Sequence, residues 1–150
     1  MKIRFLALLF ALSLLPFAGV PAAAERVFTD QLGRSVKLPD TVSRVVVLQH
    51  QTLNLVVQMG ATDKLVGILD EWKKQLGPNY VRLAPKLAGL ATPGGLTKVN
   101  IEALLALKPD VVFVTNYAPA EMIGQIEKAS IPVVAISLLT VPPSEAVKLS

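Results

Sequence analysis

Asn100-Ile101-Glu102-Ala103-Leu104-Leu105-Ala106-Leu107-Lys108-Pro109-Asp110-Val111-Val112-Phe113-Val114 is the stretch whose reading decides the fold. Asparagine suits a helix N-cap, because its side-chain oxygen can accept from a first-turn N–H. Residues 101–107 then read as a helix, with Glu102 in the first turn, where the helix dipole favours negative charge. Lys108-Pro109-Asp110 breaks it, since proline lacks an N–H and its ring clashes with the preceding turn. Residues 111–114 are apolar at every position, the pattern of a strand covered on both faces in a parallel sheet.

The same alternation runs outward in both directions. Beyond the strand, Pro119 suits a first helical position, and Met122, Ile123 and Ile126 share one helical face. Residues 131–136 read as a further strand before the Pro142-Pro143 break. On the other side, residues 44–48 and 64–69 are short strands, with Thr52 expected to cap a helix over 53–59 that Gly60 stops. Residues 70–82 read as a polar, aromatic-bearing loop containing Gly77-Pro78, and Pro93-Gly94-Gly95 as a turn. Residues 27–39 alternate apolar and polar about Gly33, which predicts a small hairpin. Strand, helix, strand, helix, strand predicts an α/β domain with a mostly parallel sheet.

Composition narrows the function. The 150 residues carry a net charge of +4, which by itself invites nucleic acid or a membrane surface. Two of those charges, Lys2 and Arg4, precede the apolar run of residues 5–15 and the small residues Ala22-Ala23-Ala24. That is the pattern of a secretory leader cleaved after Ala24, and the run is too short to span a bilayer, which takes about 20 residues. Residues 1–24 are therefore expected to be a signal peptide. The remaining excess charge no longer argues for nucleic acid. The chain has no cysteine, which removes disulfides, thiolate metal sites and a lipidated cysteine after the leader, so no membrane anchor is expected.

Catalysis finds little footing. His50 is the sole histidine, no serine sits in a nucleophile-elbow pattern, and residues 48–52 hold no glycine of a dinucleotide fingerprint. Binding is better served. Ligands of parallel sheets gather at the carboxyl ends of strands. His50 and Gln51 follow the 44–48 strand, and His50 could ligate a metal or donate to an anion. Trp72, Tyr80 and Tyr117 fall in predicted strand-end loops, where rings can pack on a ligand. Arg82 is the candidate for an oriented contact with an oxyanion, ahead of Lys73 and Lys74.

These residues resemble a known family. Asp30-Gln31-Leu32-Gly33-Arg34, Arg44-Val45-Val46-Val47-Leu48, Met59-Gly60-Ala61, Leu65-Val66-Gly67 and above all residues 100–112 are similar to the N-terminal lobe of substrate-binding proteins for iron-siderophore, haem and cobalamin importers. The resemblance implies a Rossmann-like lobe over residues 25–143, one of the two lobes of a periplasmic binding protein. Residues 144–150 would begin the connecting helix, and the chain would be truncated before its second lobe. It also implies a periplasmic carrier without cofactor, bringing a ferric or other metal chelate to an ABC transporter permease in the inner membrane. His50, Gln51, Trp72, Tyr80, Arg82 and Tyr117 would face the ligand, His50 being the one candidate metal contact, and Glu102 would dock on the permease. Two departures bear on the ligand: Asn54 stands where the family often has Glu, and Gln49-His50-Gln51 where it has a Ser/Pro-containing turn. A cobalamin, haem or nickel-chelate receptor is the alternative of the same type, and an extracytoplasmic α/β enzyme the alternative of another.

Overall fold

The valines at 45, 46 and 47 form the middle strand of a five-stranded parallel sheet, fully covered on both faces. The computed structural model describes residues 25–137; the expected leader, and the expected start of a connecting helix at 144–150, lie outside them. In chain order the strands are β1 (Glu25–Thr29), β2 (Ser35–Pro39), β3 (Val45–Val47), β4 (Leu65–Leu69), β5 (Ala91–Gly94), β6 (Val111–Thr115) and β7 (Val133–Ile136). The helices are α1 (His50–Gln58), α2 (Trp72–Leu76), α3 (Tyr80–Leu83), α4 (Ile101–Ala106) and α5 (Ala120–Lys128). Short 3₁₀ turns cover Thr62–Lys64 and Pro85–Gly89. No helix among the described residues is long and apolar enough to cross a membrane.

The sheet order is β5-β4-β3-β6-β7, and helices cover both faces. Alternate side chains of β3 point to opposite sides, so Val45 and Val47 join Leu53, Trp72 and Leu87 in one core cluster. Val46 and Leu48 join Leu104, Met122, Ile123 and Ile126 in the other. Burial of this kind contributes about 1.5–3 kcal/mol per large aliphatic side chain. The expected α/β lobe with a parallel sheet is what the chain forms.

Local chemistry explains the boundaries. Asn100 caps α4 as expected, its Oδ1 accepting from the Ala103 N–H at 2.9 Å. The Arg44 guanidinium covers the other end of α4, donating to the carbonyls of Leu107 at 2.6 Å and Lys108 at 3.1 Å. Asp110 Oδ2 accepts from the Ser43 and Arg44 N–H groups, tying the entry of β3 to that of β6. The β1–β2 hairpin is antiparallel, with Gly33 at a φ of 76° in its turn, and its tip lies against β7. There the Gln31 N–H donates to the Ala135 carbonyl and Asp30 Oδ2 accepts from the Ala135 N–H.

Four sequence expectations shift. Thr52 is not the cap of the first helix: α1 begins at His50, and Gln49 caps it by accepting from the Thr52 N–H at 2.8 Å. Residues 70–82 are not an open loop but α2 and α3, separated at Gly77, whose φ is 85°. The Pro93-Gly94-Gly95 turn gives way to β5 (Ala91–Gly94), an edge strand that tolerates Pro93 because it pairs with β4 alone in the sheet. Pro119 precedes α5 as its N-cap rather than opening it.

Candidate functional site

The chain leaves β3 toward β4 and β5, then returns to the other side of β3 with β6 and β7. The direction of winding therefore reverses between β3 and β6. At such a switch point the two strand-to-helix connections diverge and leave a crevice at the carboxyl ends of the strands. Here the crevice is bounded by the β3–α1 junction, residues 48–51, and by the β6–α5 connection, residues 116–119.

Gln49 sits at the junction. Pairing with β6 continues past β3, since the Leu48 N–H donates to the Phe113 carbonyl at 2.9 Å. Gln49 thus stays extended, with φ −146° and ψ 131°, and turns its side chain inward, where it is 0% exposed. Its Oε1 accepts from the Thr52 N–H and also from the Thr52 hydroxyl. Its Nε2 is buried with no hydrogen-bond partner. His50, the next residue, is partly buried, and its Nδ1 is likewise unpartnered. The N–H groups of His50 and Gln51 are the first two of the nine-residue α1 and have no intrahelical acceptor to use. No acidic residue occupies that turn, so the positive end of the helix dipole is not offset locally. The arrangement gathers hydrogen-bond donors at the N-terminus of α1, at the carboxyl end of β3, a setting suited to an anion.

Across the switch point, Thr115 is fully buried and its Oγ1 accepts from the Tyr117 N–H at 3.0 Å. This turn holds Tyr117 out, 48% exposed. His50 and Gln51 thus follow the carboxyl end of β3, and Tyr117 follows that of β6, the neighbouring strand.

The other expected ligand residues lie elsewhere. Trp72 is on α2, only 4% exposed, in the core cluster with Leu53 and Leu87, and the Lys73 ammonium stands 5.4 Å from its ring centroid. Its expected place on an open loop is corrected: Trp72–Leu76 coils into a helix, and the indole is buried. Tyr80 is half-buried on α3, and its hydroxyl donates to Asn54 Oδ1 at 2.7 Å, which braces α3 against α1. Burial pushes that phenol above its ordinary ionisation range. Arg82 is exposed on α3, and its guanidinium makes no hydrogen bond or ion pair among the described residues. Glu102 is exposed in the first turn of α4, the helix that starts near the carboxyl end of β5.

Among the described residues no three of His, Asp and Glu gather to hold a metal ion. A cavity of about 280 Å³ opens on the β4–β5 side instead, against Asp70, Pro93, Lys98 and Asn100. Thr115 is not among the sequence candidates, and Gln49 enters there only as part of the Gln49-His50-Gln51 departure. The available signal was a polar residue directly after each apolar strand, at the inward-facing position of the alternation.

The family described as periplasmic binding protein matches residues 45–141. The molybdate-binding protein MolA of Haemophilus influenzae is 60% identical over 150 residues, covering 100% of this chain and 42% of its own length. The probable siderophore-binding lipoprotein YfiY of Bacillus subtilis is 28% identical over 119 residues, 79% of this chain and 35% of its own length. Among solved structures, the Haemophilus MolA bound to molybdate superposes with a TM-score of 0.75 at 65% identity, covering 83% of this chain and 38% of that one. The heme-binding protein HmuT superposes with a TM-score of 0.57 at 28% identity, covering 82% and 38%. The chain therefore spans well under half the length of these relatives, all of them named as binding proteins rather than enzymes. The parallel α/β lobe and the match over most of its length lead to one conclusion: this chain belongs to the periplasmic binding protein family, alongside siderophore- and haem-binding members of metal-chelate importers.

Proposed function

We propose that the chain provides the N-terminal lobe of a periplasmic receptor that delivers a tetrahedral oxyanion, molybdate foremost, to an ABC transporter permease in the inner membrane. The observation that carries this reading is the donor-lined N-terminus of α1 at the switch point, with no carboxylate in its first turn. The 60% identity to a molybdate-binding protein supports the same ligand class. On this reading His50, Gln51 and Tyr117 line the ligand side, Glu102 faces the permease, and residues 1–24 direct export and are removed.

A ferric siderophore or haem is the second reading, favoured by the siderophore- and heme-binding relatives at 28% identity. It is the weaker one, because a large chelate needs broad apolar and cationic contact, whereas Trp72 and Tyr80 are engaged inside the lobe.

Calorimetric titration of the full product of the coding sequence with molybdate, tungstate, a ferric siderophore and haem separates the two. Saturable binding of molybdate and tungstate is the expected result. Binding of the ferric chelate with none of either oxyanion would overturn the proposal. For the docking role, Glu102→Ala should leave affinity unchanged and reduce uptake by the reconstituted importer.

A further inference from the structure

Resting on the oxyanion reading above, we infer that Gln49 selects the protonation state of the ligand. It presents a fixed donor that favours oxyanions carrying no proton, such as molybdate and tungstate, over hydrogen phosphate.

The orientation of the Gln49 amide is forced by chemistry. A backbone N–H can only donate, so the atom facing the Thr52 N–H at 2.8 Å must be the carbonyl oxygen. The Thr52 hydroxyl donates to that oxygen as well, and a flipped amide would lose both bonds. Nε2 is therefore held at the N-terminal end of α1 as a donor and cannot turn into an acceptor. It is fully buried and has no partner, a condition that costs free energy unless something accepts from it. The neighbouring His50 Nδ1 is in the same state and becomes a second donor in the tautomer that places its proton there.

The carboxylates nearest this end of the sheet lie away from Nε2. The Asp70 carboxylate lies against Gly95 on the β5 side, and Glu71 pairs with Lys74 at 3.6 Å. An oxyanion with four bare oxygens can accept every bond that the α1 terminus offers. Hydrogen phosphate brings a hydroxyl that must itself donate, and where it meets Nε2 two donors face each other with neither satisfied. A site built on buried donors rejects such a mismatch strongly, because the unpaired group stays desolvated. Both nitrogens are covered in the ligand-free chain. Contact thus requires covering side chains to turn, a rotamer change that exposed residues make readily.

The test compares molybdate, tungstate and phosphate at neutral pH in the wild type and in Gln49→Glu. A glutamate keeps an oxygen on the Thr52 N–H, so the fold should be retained, with a lower melting temperature because a carboxylate is buried there; a melt without ligand checks that the variant is folded. The substitution replaces the donor by a negative acceptor. We expect wild type to prefer molybdate over phosphate by about tenfold or more, and Gln49→Glu to lose at least about tenfold in molybdate affinity while its phosphate-to-molybdate ratio rises. Equal wild-type affinity for the two anions would overturn the inference without any variant. So would a Gln49→Glu protein that keeps wild-type affinity, or one that weakens both anions in proportion. If wild type binds no oxyanion at all, the receptor reading fails and this inference with it.

Discussion

Asp30 and Arg34, four residues apart at the tip of the β1–β2 hairpin, form a forked ion pair in which Arg34 Nε and Nη2 donate to Asp30 Oδ2 at 2.9 and 2.7 Å. The Asp30 side chain is completely buried. Its other oxygen accepts from the N–H groups of Leu32 and Arg34, and Oδ2 takes a further bond from Ala135. The pair thus couples the hairpin turn to β7.

Acid should release this coupling. Burial pushes the Asp30 carboxyl upward, but the bonds from Arg34, Ala135 and Leu32 outweigh it and hold the group below the ordinary carboxylate range. A lowered folded pKa contributes stability that is fully present above the unfolded value and is lost as pH falls through the folded one. Melting temperature should stay level from neutral pH down to about pH 5 on this account and fall below about pH 4. Asp30→Asn should cost about 2–4 kcal/mol at neutral pH and flatten the acid limb. Thermal melts of both proteins from pH 7 to pH 3 check this, and an unchanged acid limb in the variant would remove Asp30 as its cause.

Gly94 and Gly95 should respond differently to a methyl group. A Cβ on Gly94 would overlap the Lys98 carbonyl and stand 2.7 Å from Val99 Cα, both backbone atoms that cannot yield without moving β5. A Cβ on Gly95 meets Asp70 Oδ1, the free end of a side chain. Gly94→Ala should therefore cost about 2–3 kcal/mol and Gly95→Ala about 1 kcal/mol or less in urea unfolding. Equal costs would contradict the described packing.

Trp72, the one tryptophan of the chain, should behave as a core residue. Its emission should be blue-shifted and poorly quenched by iodide, moving to the red on unfolding, and Trp72→Ala should cost about 3–5 kcal/mol. Ready quenching in the folded protein would return the ring to an open loop.

The contrast between Trp72 and Leu104 marks what was legible in advance. Leu104 lies in a stretch where cap, helix, breaker and strand all follow from neighbours in sequence, and its burial follows from that local pattern. Trp72 sits among lysines and a glutamate near Gly77-Pro78, which reads as a loop; its burial depends on α1 and the 3₁₀ turn at 85–89 packing on the same face of the sheet. The cap of α1 failed for a related reason. Thr52 is the better capping residue by type, yet the Leu48–Phe113 bond keeps the backbone extended through Gln49 and hands the role to a glutamine. His50, Gln51 and Tyr117 could be placed because strand ends were visible. The Gln49 donor could not, since it arises from pairing between segments about 65 residues apart in sequence.

The two outer strands have a consequence for the molecule among its copies. On β7, the Ala135 N–H and carbonyl and the Val133 carbonyl are taken by Asp30, Gln31 and Arg34. On β5, the chain doubles back: Gly94 bridges Val99, and the Asn100 N–H donates to the Pro93 carbonyl. Each margin of the sheet is thus stitched shut by a neighbouring segment of its own chain. A second molecule finds no open ladder to extend at these positions, which guards against strand-by-strand polymerisation.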